Sequence, residues 1–173
     1  MTRAVLALLV AGAISTSVME RAQAQSPSAP KVPANLGQLM KGTLYPESNV
    51  VFAAQDTNPA DVPHAKDPSM ATDPLTSQYG KWEAVEDNAL AIAEVANLLT
   101  LPGRKCSNGL DVPLKNPDWA KFVQGLRDAG MAAYAAAQTK NQDKMTDVAD
   151  VMTTACKNCH DRYREKKPAD RCK

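Results

Sequence analysis

The chain has 173 residues, 44% of them apolar and 5% aromatic, with 20 Lys and Arg against 19 Asp and Glu for a formal net charge of +1. Such a length fits one globular domain, and so small a charge argues against a protein that grips nucleic acid through a strong basic field. Few aromatic and many alanine residues argue against a β-sandwich, and the longest apolar run, Ala4 to Ile14, is too short to span a bilayer.

The first 24 residues read as a secretory signal peptide. Arg3 supplies the positive start, Ala4 to Ile14 the apolar stretch, and Ala22-Gln23-Ala24 a small-x-small cleavage site. The alternative is an N-terminal helix of the mature chain, but this run has no polar face and a breaker-rich linker, 25–34, follows it. Cleavage after Ala24 leaves 18 basic and 18 acidic residues. The remainder, 35–173, is expected to be one exported domain in an oxidising compartment, the periplasm of a bacterium.

Leu36, Leu39, Met40 and Leu44 stand at helical spacing. Pro46 is expected to interrupt that helix, and Val50, Val51 and Phe52 to resume its apolar face. Residues 55–77 hold Pro59, Pro63, Pro68 and Pro74 and read as a long ordered loop. Trp82, Val85, Ala89, Ile92, Ala96 and Leu99 then step by three and four along one face, and the pattern stops at Pro102-Gly103. Asn116-Pro117 predicts a helix start, with a capping side chain and a proline in the first turn. The seam Trp119, Phe122, Leu126, Ala129, Ala133 and Ala136 follows it. Met145, Val148, Met152, Ala155 and Cys159 form the last seam. Small residues dominate the second and third seams, so those helices can pack closely or leave room for something flat. Four amphipathic helices without a convincing strand predict an all-α fold, an antiparallel four-helix bundle.

The chemistry concentrates in Cys156-Lys157-Asn158-Cys159-His160. Two thiols three apart followed at once by histidine are the attachment pattern of c-type haem. Residues three apart share a helix face, so both thiols can reach one porphyrin edge while His160 becomes the proximal iron ligand. A zinc site would need further ligands, and the other histidine, His64, is far off in sequence. A thioredoxin-like dithiol would need a βαβ setting that this pattern lacks.

A haem attached near the end of the last helix of such a bundle resembles the cytochrome c′ family, the class II cytochromes c. The resemblance runs from Leu36 to about Lys166. It is carried by Leu39-Met40-Lys41, by Trp82 and Trp119, and by the run Cys-Lys-Asn-Cys-His-Asp-Arg-Tyr-Arg at 156–164. The proline-rich loop and two additional cysteines depart from the family pattern. The resemblance implies a distal residue on the first helix, where methionine gives six-coordinate iron and an apolar side chain leaves five-coordinate iron. Met40 is the candidate: antiparallel topology puts the start of the first helix beside the end of the fourth. Packing of Met40 on the porphyrin is the alternative, with Met70 and His64 as outsiders. Arg164, one turn past His160, is expected near the same haem edge, pairing with a propionate or lying over the proximal face as in the family; a solvated basic tail is its alternative. Trp82, Trp119 and Tyr163 read as packing residues.

These readings converge on an exported monohaem cytochrome carrying one covalent heme c, an electron shuttle between redox protein partners and not an enzyme. The rival is a five-coordinate haem protein that binds nitric oxide or carbon monoxide. Neither nucleic acid nor a membrane span is expected. Cys106 and Cys172 remain, and in an exported chain a disulfide between them is expected. Helices two and four run the same way, so both cysteines fall at the haem end. The alternative is a free Cys172 that pairs between molecules to make a homodimer.

Overall fold

The computed structural model describes residues 31–167 and 171–172. The signal segment 1–24 and residues 25–30 of the linker lie outside the described residues, as do Pro168, Ala169, Asp170 and Lys173. Four long helices account for the described chain, which has no strand beyond one isolated bridge between Lys105 and Asp111.

Helix α1 runs in three continuous pieces, Leu36–Leu39, a π-helical turn Met40–Leu44, and Tyr45–Asp56. Asn35 starts it with a reciprocal cap: its side chain accepts from the Gln38 backbone N–H, and the Gln38 side chain accepts from that of Asn35. Pro46 does not break this helix. A proline offers no N–H and its ring crowds the carbonyl four residues back. Here the chain widens just before it, and the Tyr45 N–H reaches back five residues to the Met40 carbonyl. The helix continues two residues further than expected, through Gln55 and Asp56.

The loop that follows is ordered. Its three 3₁₀ turns, Pro59–Asp61, Pro68–Met70 and Pro74–Thr76, each open on a proline. Cross-bonds pin it, from Ala65 N–H to the Thr76 carbonyl at 2.9 Å and from Gln78 N–H to the Pro68 carbonyl at 3.0 Å. Lys81 Nζ also donates to the Ala60 carbonyl at 3.1 Å.

Helix α2 is Lys81–Leu98, α3 is Pro117–Gln138 and α4 is Gln142–Cys159, the last prolonged by a second π-helical turn, His160–Arg164. Each helix packs on the next and α1 closes the square against α4. The expected α2 seam is buried from Trp82 to Leu99, and Trp119, Leu126, Ala129, Ala133 and Ala136 of α3 are buried as well. On α4, Met145 and Met152 are wholly buried, with Val148, Ala155 and Cys159 partly so.

Small residues decide how closely α2 and α3 approach. A Cβ on Gly130 would stand 2.9 Å from the Ala89 carbonyl oxygen and 2.9 Å from the Ala93 nitrogen. The two helices therefore touch backbone to backbone there, and the open space of the bundle lies elsewhere.

Two clasps hold the end where α1 begins and α4 stops. Arg104, 5% exposed, donates from Nε to the Leu98 carbonyl at 3.1 Å and from Nη1 to the Ala34 carbonyl at 2.7 Å. Its charge thus meets the negative end of the α2 dipole. Beside it the Leu36 N–H donates to the Lys105 carbonyl at 2.8 Å. The second clasp is a disulfide between Cys106 and Cys172, with Cα atoms 4.8 Å apart, inside the normal range for such a bond. Both cysteines are thereby used within one chain, so a dimer joined through Cys172 is not the arrangement found. Among the described residues no helix is long and apolar enough to cross a membrane.

Candidate functional site

The clasped end holds a cavity of about 720 Å³, open to solvent on one side, and within the size range of small-molecule and cofactor pockets. Its wall is mainly apolar. Leu36, Leu44 and Phe52 come from α1, Ile92 and Leu99 from α2, Trp119, Phe122 and Leu126 from α3, and Met152 from α4. Into this wall the chain inserts sulfur and nitrogen donors from two helices: Met40 from α1, and Cys156, Cys159 and His160 from α4, with Arg164 at the margin. All five residues singled out by sequence for one site therefore border one space.

The two π-helical turns frame it. Met40 opens one and His160 opens the other, and in the second the Glu165 N–H closes back on the His160 carbonyl at 2.9 Å. One extra residue per turn shifts the side chains that follow around the helix axis, and such bulges often accompany functional positions.

What fixes the end of α4 is a polar knot on α3. Tyr163, which is buried, donates its hydroxyl to Asp118 at 2.5 Å, while Arg162 Nε donates to the other oxygen of that carboxylate at 2.8 Å. These bonds hold the Asp118 carboxyl below its ordinary pKa, the tyrosine bond counting most. Burial pushes the Tyr163 hydroxyl up, and its donation to Asp118 adds to that. The Tyr163 ring meets Trp119 edge-on at 5.0 Å and Phe122 at 6.2 Å, so the packing role expected for it is found. Trp119 Nε1 donates to the Leu99 carbonyl at 3.1 Å, which leaves its ring to line the cavity. Trp82, by contrast, is buried in the seam away from the cavity.

Asn116 does not play the capping part expected of it. Its side chain makes no cap bond; Nδ2 donates to the Tyr163 hydroxyl at 3.3 Å and so joins the knot.

The electrostatics of the motif suit neutral donors. Burial pushes the Cys156 thiol up, against the opposing pull of Arg164, and pushes Cys159 up to about 11, helped by Cys156 and Asp118. Burial and then the Arg164 charge lower the His160 pKa, so its imidazole is neutral near pH 7, the form that binds metals. Reactive exchange cysteines need the opposite, a stabilised thiolate. Arg164 itself donates to Glu165 at 2.5 Å and is half exposed.

The other candidates stay away. Met70 is 76% exposed on the proline-rich loop, and His64 Nδ1 is paired with the Ser77 carbonyl at 2.8 Å on that same loop. That loop follows the end of α1 remote from the cavity. Of the remaining methionines of α3 and α4, Met131 is half exposed and Met145 is buried away from the cavity wall. Among the described residues no three His, Cys, Asp or Glu side chains converge as a site for a bare metal ion, so the four-ligand zinc arrangement is not assembled there. Sequence reasoning read Phe52 and Ile92 as seam residues without placing them in the cavity wall, and it missed the knot partner Asp118. Asp118 carried a signal, standing in the first turn of a helix that begins at the cavity end.

No protein-family model matches this chain, and neither does any curated protein or solved structure.

Proposed function

We propose that this protein is an exported monohaem c-type cytochrome that carries single electrons between redox proteins. One observation carries the reading: a Cys-x-x-Cys-His motif and a methionine from another helix border the same apolar cavity. The donor set fits the group. Cys156 and Cys159, as half-buried neutral thiols, would form the two thioether links, each S–H adding across one vinyl group. His160, neutral at physiological pH, would be the proximal ligand, and Met40 the distal one. Arg164 is at hand for a propionate. Bound there, haem supplies a one-electron iron couple whose potential depends on its axial ligands and on exclusion of water.

The chain's own part in that task is to hold still. The Asp118–Tyr163–Arg162 knot fixes the frame around His160, the clasps at Arg104 and Cys106–Cys172 fix the start of α1 against the end of α4, and the apolar wall would shield the covered part of the haem from water. The reading is of a carrier and not an enzyme. Export and a periplasmic site accord with the signal-like first 24 residues and with the disulfide.

The test is haem content after expression in a host that attaches haem outside the cytoplasm. Wild type should keep its haem through acid–acetone extraction, and Cys156→Ser/Cys159→Ser should release it. A wild-type chain without retained haem, or a double variant that still holds it covalently, would sink the assignment. A high-spin wild-type spectrum would keep the haem and move the reading to nitric oxide or carbon monoxide binding.

A further inference from the structure

The near-zero net charge of this chain hides a strongly polarised distribution. Three segments build the cavity end of the bundle: residues 31–44, the α2–α3 connection with the first turn of α3 (99–122), and the end of α4 with its tail (154–172). The first carries Lys31 and Lys41 and no acid; beyond it the cavity wall continues along α1 to Phe52, past one acid, Glu47. The second carries Arg104, Lys105, Lys115 and Lys121 against Asp111 and Asp118. The third carries Lys157, Arg162, Arg164, Lys166, Lys167 and Arg171 against Asp161 and Glu165 among the described residues. Twelve cations thus stand with four acids at this end, and the rest of the described chain holds five cations and thirteen acids.

Pairing sharpens the contrast. Each of the four acids is already bound to a cation of its own end: Asp111 to Lys105, Asp161 to Lys157, Asp118 to Arg162 and Glu165 to Arg164. Lys31, Lys41, Lys115, Lys121, Lys166 and Lys167 are exposed and have no ion pair among the described residues. Lys41 and Lys157 border the cavity itself, as does Tyr45, which is 66% exposed. An apolar centre inside a charged rim is the usual build of a transient protein interface.

We propose that this end docks the acidic face of a folded redox partner. The inference rests on the electron-carrier reading and names the partner chemistry for it. Electron transfer weakens steeply with distance, so a partner must come to the end where the haem would lie. A molecule with so small a net charge is barely drawn to a partner as a whole; its dipole turns the basic end toward an acidic surface and its acidic flank away. Such steering changes encounter rates by about 10- to 1,000-fold and is screened beyond roughly 8 Å at physiological salt.

Two measurements test it. The first needs no haem: calorimetric titration of the purified chain with poly-L-glutamate at low salt. Saturable binding is expected, lost at high salt and in Lys121→Glu/Lys166→Glu/Lys167→Glu, and unchanged in the far-end control Lys66→Glu/Lys140→Glu. No binding, or equal binding by the triple variant and wild type, overturns the proposal. The second uses the reduced haem protein, whose ferrous iron gives one electron to hexacyanoferrate(III) or to tris(phenanthroline)cobalt(III). Rising ionic strength should slow the anionic oxidant about tenfold or more and speed the cationic one. Rates that ignore salt with both oxidants overturn the proposal. Sedimentation of the protein with phosphatidylglycerol vesicles at physiological salt would assign the basic end to a lipid surface. Salt-sensitive self-association in sedimentation velocity would assign it to a second copy. Either overturns the acidic protein partner. A chain found without covalent haem sinks the carrier reading alone, and the titration still decides the charge of the docking end.

Discussion

Met40 and His160 each begin a π-helical turn, on two different helices, and both border one cavity. The first turn exists because Pro46 cannot complete an α-helical ladder. The proline thereby sets the register of the residue proposed as distal ligand. Met40→Ala is expected to convert a low-spin optical and EPR spectrum to high-spin and to admit carbon monoxide to the iron. A wild-type protein already high-spin would refute ligation by Met40.

Cys106 and Cys172 close a loop of 66 residues. In the chain-entropy account such a closure is worth about 4 kcal/mol. Cys106→Ser/Cys172→Ser should therefore unfold at clearly lower urea concentration, with an effect below that figure in a chain that also carries the proposed haem links. Alkylation of the unreduced, denatured wild type, read by intact mass, should find neither of these thiols.

Gly130 touches α2 backbone with no room for a side chain. Gly130→Val should cost about 1–3 kcal/mol, because backbone at Ala89 and Ala93 cannot step aside as a side chain would. Thermal unfolding reads it directly, and an unchanged midpoint would show that α2 and α3 have slack.

Glu47 on α1 has one carboxylate oxygen buried without a hydrogen-bond partner among the described residues, and burial raises its pKa from the ordinary 4.5. A raised carboxyl is costly when ionised. The fold is thus free of this penalty below the unfolded value, and loses stability as pH climbs through that value to the raised one. Glu47→Gln should melt higher than wild type at pH 7, and the gap should close near pH 3.5. A gap that persists in acid would trace the effect to packing and not to charge.

The seams of α2, α3 and α4 were legible because three-and-four spacing of apolar residues has one cheap burial solution. The Cys156–His160 motif was legible because its spacing is short and local. The behaviour of α1 at Pro46 was not, since a proline in a helix can kink it, end it or widen one turn, and the choice depends on what packs around it. Asn116 looked like a cap, yet the Tyr163 hydroxyl, 47 residues away, recruits its amide. The packing consequence of small residues divided in two: Gly130 brought α2 and α3 together, while the room opened beside α1 and α4. Net charge carried no sign of the basic end, because a total discards position.

The cysteine arrangement also imposes an order on maturation. Four thiols in an oxidising compartment have three complete pairings, and under the cytochrome reading only one of those bonds, Cys106–Cys172, is wanted. Cys156 and Cys159 sit close enough in sequence to oxidise with each other, which would forfeit both thioether links. The same chain therefore needs one pair oxidised and the other kept reduced until the porphyrin arrives. In a chain exported as proposed, Cys172 would be the last of the four to emerge, so the wanted disulfide could not form until the proposed attachment thiols had already crossed. Haem ligation and disulfide formation become competing clocks, and a host with too much oxidase activity would yield folded, colourless protein.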